Sequence, residues 1–175
     1  MRGEIAADFA LLAALYALLY ALWLRRRGAR YRVRFTLFYL YLCLTAFVTL
    51  MPFQLGVPGS DPTVLDEINL EPFRDIKRGY LGAWRGVILN GVMFLPMGFL
   101  LPALKRRGLV KTALLSLAAS LFIEGTQLFY CWCDVSNRRI FDVTDLIMNT
   151  AGGVCGCLIY LAARPALRRI DNELP

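Results

Sequence analysis

Histidine is absent from the 175 residues. Its absence removes imidazole general acid–base chemistry, Ser-His-Asp and Cys-His nucleophile activation, and every His-ligated zinc site. Cysteine is scarce. The five present are spaced unlike a disulfide scaffold or a Cys₄ metal site. Charge is scarce as well. Only 19% of residues are charged and 58% are hydrophobic, against roughly 25% and 45–50% in an ordinary soluble domain. Mean hydropathy is +0.52. This composition excludes a disordered chain, which would be poor in apolar residues, and points to a membrane protein.

A helix crosses the hydrocarbon core with about 20 predominantly apolar residues. Five segments meet that requirement: Ile5–Leu24, Phe35–Phe53, Val87–Leu104, Thr112–Tyr130 and Val143–Ala163. The expected fold is therefore an all-α, polytopic membrane bundle, with residues 1–175 forming one domain. The first segment is too long for a signal-peptide core and runs directly into Arg25-Arg26-Arg27 without a small-residue cleavage site. It reads as a retained span. Segments 25–34, 105–111 and 164–169 carry most of the 20 basic residues. Basic residues in short loops stay cytoplasmic, which predicts an N-out, C-in chain. The net charge of +7 is then accounted for by anionic lipid headgroups. Nothing in the sequence resembles a nucleic-acid-reading element, so no nucleic-acid partner is expected.

The one long loop, 54–86, lies outside under this topology. Val64–Leu81 alternates apolar and charged residues and reads as an interfacial or re-entrant element, interrupted at Pro72. Whether Leu65–Leu81 enters the bilayer stays open. Cys131 and Cys133 fall on the outer side, where a structural role as free or externally paired thiols is expected. Cys43, Cys155 and Cys157 stand as small apolar residues within spans.

The polar residues inside the spans are the most informative. A carboxylate near the bilayer centre costs about 2.5–3.5 kcal/mol on insertion scales. At about 100° per residue, Asp142, Asp145, Asn149, Gly152 and Gly156 share an arc of about 80° on the last span. Ser116, Ser120, Glu124 and Gln127 share a similar arc on the fourth. The two stripes are expected to face each other or a common cavity. Asn90, near the outer end of the third span, is expected in the same layer. Arg138 and Arg139, in the outer loop, are expected to pair with these acids. Gly152 and Gly156 form a GxxxG spacing that lets two helix backbones approach closely, within one chain rather than between two.

Four elements resemble the VanZ-like family of bacterial membrane proteins, named for teicoplanin resistance. Asn69-Leu70-Glu71-Pro72-Phe73 resembles N-L-x-P-F. Asn90 with Phe94-Leu95-Pro96-Met97-Gly98 resembles N-x-x-x-F-x-P-x-G. Glu124-Gly125-Thr126-Gln127 resembles E-x-x-Q. Arg139, Asp142, Asp145, Asn149, Gly152 and Gly156 resemble R-x-x-D-x-x-D-x-x-x-N-x-x-G-x-x-x-G. The resemblance spans 69–156. It implies a multi-pass protein of the bacterial plasma membrane and cell envelope, with lowered sensitivity to teicoplanin-type glycopeptides in some members. The segment 131–138 departs from the short Pro/Gly connection expected there.

The expected site is thus an outward polar cluster of Asn69, Asn90, Glu124, Gln127, Arg139, Asp142, Asp145 and Asn149. Its expected ligand is an envelope lipid, an envelope precursor or a lipid-linked headgroup. Arg139 would attract an anion, the amides would orient it, and the acids would hold the arginine or a cation. No cofactor is expected on this reading. Two other readings remain at this point. In one, Glu124, Asp142 and Asp145 hold Mg²⁺ for chemistry on a lipid-linked phosphate. In the other, the chain is a small transporter or lipid flippase. A purely structural ion-pair network would need neither ligand nor chemistry.

Overall fold

The computed structural model describes residues 2–53, 56–59, 64, 68–133 and 141–173. The chain runs through α1 (Arg2–Leu22), a 3₁₀ turn at Leu24–Arg26, α2 (Ala29–Thr49), α3 (Arg74–Lys77), α4 (Ala83–Leu104), α5 (Leu109–Trp132) and α6 (Val143–Glu173). Among the described residues there is no strand, only an isolated parallel bridge between Asn69 and Asp142. Five helices are long and apolar enough to cross a membrane. The expected all-α bundle of five spans is therefore observed.

The helix bounds differ from those of the apolar segments that announced them. α2 begins at Ala29 rather than Phe35, because Arg30, Arg32 and Arg34 are good helix formers even though their charge removes them from an apolar window. It stops at Thr49, ahead of Pro52, which disfavours the α conformation in the residue before it. α1 ends at Leu22, where the chain tightens into the 3₁₀ turn, and Gly28 caps α2. α6 continues beyond Ala163, through Pro165, to 31 residues. That makes it about 46 Å long, well over the roughly 30 Å hydrocarbon core.

Within Val64–Leu81 only Arg74–Lys77 is helical. Residues 65–67 of this stretch lie outside the described residues. Pro72 ends any upstream continuation, and Phe73 caps α3 in the left-handed region at φ 59°. The segment is thus a folded loop and not a continuous amphipathic helix.

The core is built by α4, α5 and α6. Lipid tails are as apolar as leucine, so helix association in a bilayer depends on close packing and polar contacts. Close packing is extreme between α4 and α6. A Cβ on Gly152 would overlap the Gly91 carbonyl, one on Gly156 the Leu95 carbonyl, and one on Gly98 the Gly153 carbonyl. A Cβ on Gly153 would overlap the Ser116 hydroxyl of α5. α4 and α6 therefore meet backbone to backbone, and α5 closes on them through the small Ser116 side chain. Phe94, Met97 and Leu101 of α4 and Ile123 of α5 complete the apolar core, with Phe38, Tyr41 and Leu50 packed against it.

α1 lies against α2 through polar and aromatic ties. The Tyr39 hydroxyl donates to the Leu12 carbonyl at 2.6 Å. Tyr16 and Thr36 share a hydroxyl contact at 2.6 Å. Near one end, the Phe53 N–H donates to the Asp8 carboxylate at 2.9 Å. At the other, Trp23 meets Tyr31 and Phe35 edge to face.

Candidate functional site

The loop after α2 is clamped to the start of α6 by Asn69, which is 2% exposed. Its N–H donates to the Phe141 carbonyl at 2.8 Å, and its carbonyl accepts from Val143 at 3.0 Å. Its side-chain oxygen accepts from the Glu71 N–H at 3.1 Å, forming an Asx turn. Its side-chain amide donates to Asp142 Oδ2 at 2.9 Å. The other Asp142 oxygen, Oδ1, accepts from the Thr144 N–H at 2.7 Å. Asp142 therefore stands just before α6 as its N-cap, and not on the helical face with Asn149. The Thr144 hydroxyl then accepts from the Phe73 N–H at 3.0 Å. This bond secures the left-handed residue that directs α3 back over the helix ends.

Beneath this clamp the two polar stripes meet. Thr112, Ser116, Ser120, Glu124 and Gln127 of α5 are all buried. Glu124 Oε2 accepts from the Asp142 N–H at 3.1 Å. Gln127 donates to the Thr49 carbonyl at 3.0 Å, tying α5 to the last turn of α2. The Asn149 amide donates to the Ser120 hydroxyl at 2.9 Å. Asn149 is 1% exposed, and its Oδ1 finds no hydrogen-bond partner among the described residues. A buried acceptor left in that state costs about 1–3 kcal/mol.

These groups line a cavity of about 430 Å³. Asn90 of α4, Glu124 and Gln127 of α5, and Asp142, Asp145 and Asn149 at the head of α6 all border it. α3 supplies Arg74 and Asp75, and Met93 and Ile123 form part of the floor. By helical rise, Asn90, Glu124 and Asn149 sit about 9–12 Å inside the helix ends. The cavity opens at the end of the bundle that also holds the N-terminus of α1 and the loop before α4.

Of the residues expected at the site, six line the cavity: Asn90, Glu124, Gln127, Asp142, Asp145 and Asn149. Asn69 lies behind them as the clamp. Arg139, with Arg138, lies outside the described residues. The sequence reading passed over Arg74. Its Nε lies 3.5 Å from the Asp75 carboxylate, too far for a good hydrogen bond, and makes none among the described residues. The signal was its position directly after Phe73, where the chain turns inward. Asp8 and Thr144 were also passed over, since each serves backbone N–H groups whose location only the folded chain reveals.

The cavity thus presents a guanidinium and amides as donors, and carboxylates and the Asn149 carbonyl as acceptors. Among the described residues, no three His, Cys, Asp or Glu side chains are grouped to hold a metal ion. Asp142, one of the three acids considered for Mg²⁺, already accepts an N–H at each oxygen. Cys131 and Cys133 are both buried.

A family model described as VanZ/LLP1 matches residues 38–164. That range runs from the middle of α2 to the basic end of α6, with the whole of the clamp and cavity. No curated protein and no solved structure matches the chain.

Proposed function

The chain belongs to the VanZ/LLP1 family, and from that premise we propose that its polar cavity binds the headgroup of an envelope lipid at the outer face of a bacterial plasma membrane. The observation that carries this reading is that Asn149, a residue lining the cavity, has a buried side-chain carbonyl without a hydrogen-bond partner among the described residues. A hydroxyl of a bound glycan or glycerol group would satisfy it. Arg74 would meet an anionic group, and Asn90 and Gln127 would fix orientation. Arg139 remains a candidate second cation. Asn69, Asp142 and Thr144 position the loop and do not need to touch the ligand.

An apolar groove of about 220 Å³ supports a lipid over a soluble sugar. It is lined by Leu42, Ala46, Leu50, Phe94 and Phe122 and shares Thr49 and Ile123 with the cavity. A headgroup in the cavity therefore has a hydrocarbon path beside it. The distribution of basic residues supports the outward orientation. The donor set favours hydrogen bonding over metal coordination, so carboxylate-bound Mg²⁺ is the lesser alternative.

A protein that engages an outer-leaflet headgroup would alter the surface met by an antibiotic carrying its own acyl chain. We therefore expect producing cells to be protected against teicoplanin more than against vancomycin. Glu124→Gln and Asn90→Ala, made in normal amounts, should lose that protection and the lipid that co-purifies with wild type. Full protection and unchanged co-purified lipid in both variants would remove the cavity from the function.

A further inference from the structure

The opposite end of the bundle holds a groove that the proposed function does not use. It has a volume of about 340 Å³ and lies between α2, α4 and α6. Three guanidiniums line it: Arg34 near the start of α2, Arg106 just past α4, and Arg164 on the extended part of α6. Among the described residues, no carboxylate lines it. The rest of its wall is apolar, including Leu37, Phe99, Leu100 and Tyr160. Phe99 and Tyr160 meet edge to face at 5.7 Å, which fixes that wall. Arg34 donates to the Ala103 carbonyl at 3.3 Å, so its side chain is held at the C-terminal end of α4.

We infer that this groove binds the phosphate of an anionic phospholipid, with an acyl chain lying along the Phe99–Leu100 wall. Arg106 and Arg164 bring two like charges to one helix end, and a phosphate between them reverses their repulsion. Guanidiniums bind phosphate oxygens in paired, directional hydrogen bonds. Basic pockets between helices on the cytoplasmic side are suited to acidic headgroups. The apolar wall selects a lipid over a free phosphate ion, because an ion gains nothing from it. The long α6 has a physical reason here, since its turns past the hydrocarbon core carry Arg164 to headgroup level.

The test uses the full-length chain in neutral detergent, titrated with short-chain phosphatidylglycerol or phosphatidylcholine and read by native mass spectrometry. Phosphatidylglycerol should bind at least about tenfold more tightly, as roughly 1 kcal/mol for each basic residue near the headgroup implies. The R106Q/R164Q variant should lose that preference. R25Q/R26Q, with the same charge removed at the same end, should keep it. R106Q alone, whose side chain is exposed, should halve the preference or more and serves if the double variant does not fold. Equal binding of the two lipids overturns the proposal. An equal loss in R25Q/R26Q also overturns it, by assigning the effect to diffuse surface charge. Competition by inorganic phosphate as effective as by the lipid overturns it too, as a soluble-anion site.

Discussion

Asn69 and Asp142 form a pair in which every hydrogen-bonding direction is assigned. The Asn69 oxygen is held by Glu71, so only its amide can face Asp142. Asp142→Asn presents an amide to an amide and should destabilise the protein by about 1–3 kcal/mol, the cost of leaving buried donors unpaired. Asn69→Asp sets two carboxylates against each other and should cost a similar amount. The exchanged pair N69D/D142N restores one donor facing one acceptor and should recover most of the loss. Thermal unfolding in detergent, followed by tryptophan fluorescence, measures all three variants. A double variant no better than the sum of the singles would show that the two side chains are not coupled. The same logic separates the cavity residues from the clamp. Asn90→Ala should leave the unfolding temperature near that of wild type, whereas loss of the clamp should lower it.

The contact between α4 and α6 has no room for a side chain. Gly98→Ala and Gly152→Ala would each drive a methyl group into a backbone carbonyl of the facing helix. Backbone cannot rotate away as a side chain can, so each should cost about 3 kcal/mol, at the upper end of overpacking. Gly125 supplies the contrast. It lies within the E-x-x-Q element, yet a Cβ there meets nothing within 4 Å. Gly125→Ala should be neutral or should stabilise the helix by about 0.5–1 kcal/mol. Yield and unfolding temperature of the three variants in one detergent check this ordering. If Gly152→Ala is as stable as Gly125→Ala, the helices do not meet at these glycines. The element scale also explains the polar stripe of α5. Ser116 and Ser120 are small enough to admit Gly153 and Asn149, so the stripe is as much a groove for α6 as a row of polar groups.

Across the whole molecule, charge and aromatic residues divide the bundle into two ends. Arg27 lies over the Trp23 ring at 4.8 Å, beside Tyr31, at the basic end. Tyr80 and Trp84 stand exposed at the cavity end, as amphipathic aromatic side chains do at a membrane surface. An impermeant thiol reagent on intact cells should therefore label Arg78→Cys. It should reach Lys105→Cys only after permeabilisation, with wild type as the background. The reverse pattern would turn the cavity toward the cytoplasm and end the envelope reading. The N-terminal pair α1 and α2 buries little of its surface. It is joined to the rest near the cavity through Thr49, whose carbonyl receives Gln127.

Sequence by itself determined the class of solvent, the number of spans and the positions of the polar residues within them. Hydropathy and helical period are local properties, and a bilayer enforces both with a large cost per exposed polar group. The stripe of Ser120, Glu124 and Gln127 was legible for the same reason, as was the run Asp145, Asn149, Gly152 and Gly156. Tertiary structure decided which groups are spent on the fold and which remain open. The Asn69 carbonyl accepts the Val143 N–H and the Asp142 carboxylate accepts the Asn69 amide, while the Asn149 carbonyl and the Arg74 Nε–H stay without hydrogen bonds among the described residues. Hydrogen-bond pairing between residues seventy positions apart depends on where the loop before α4 folds back, and no local pattern encodes that return.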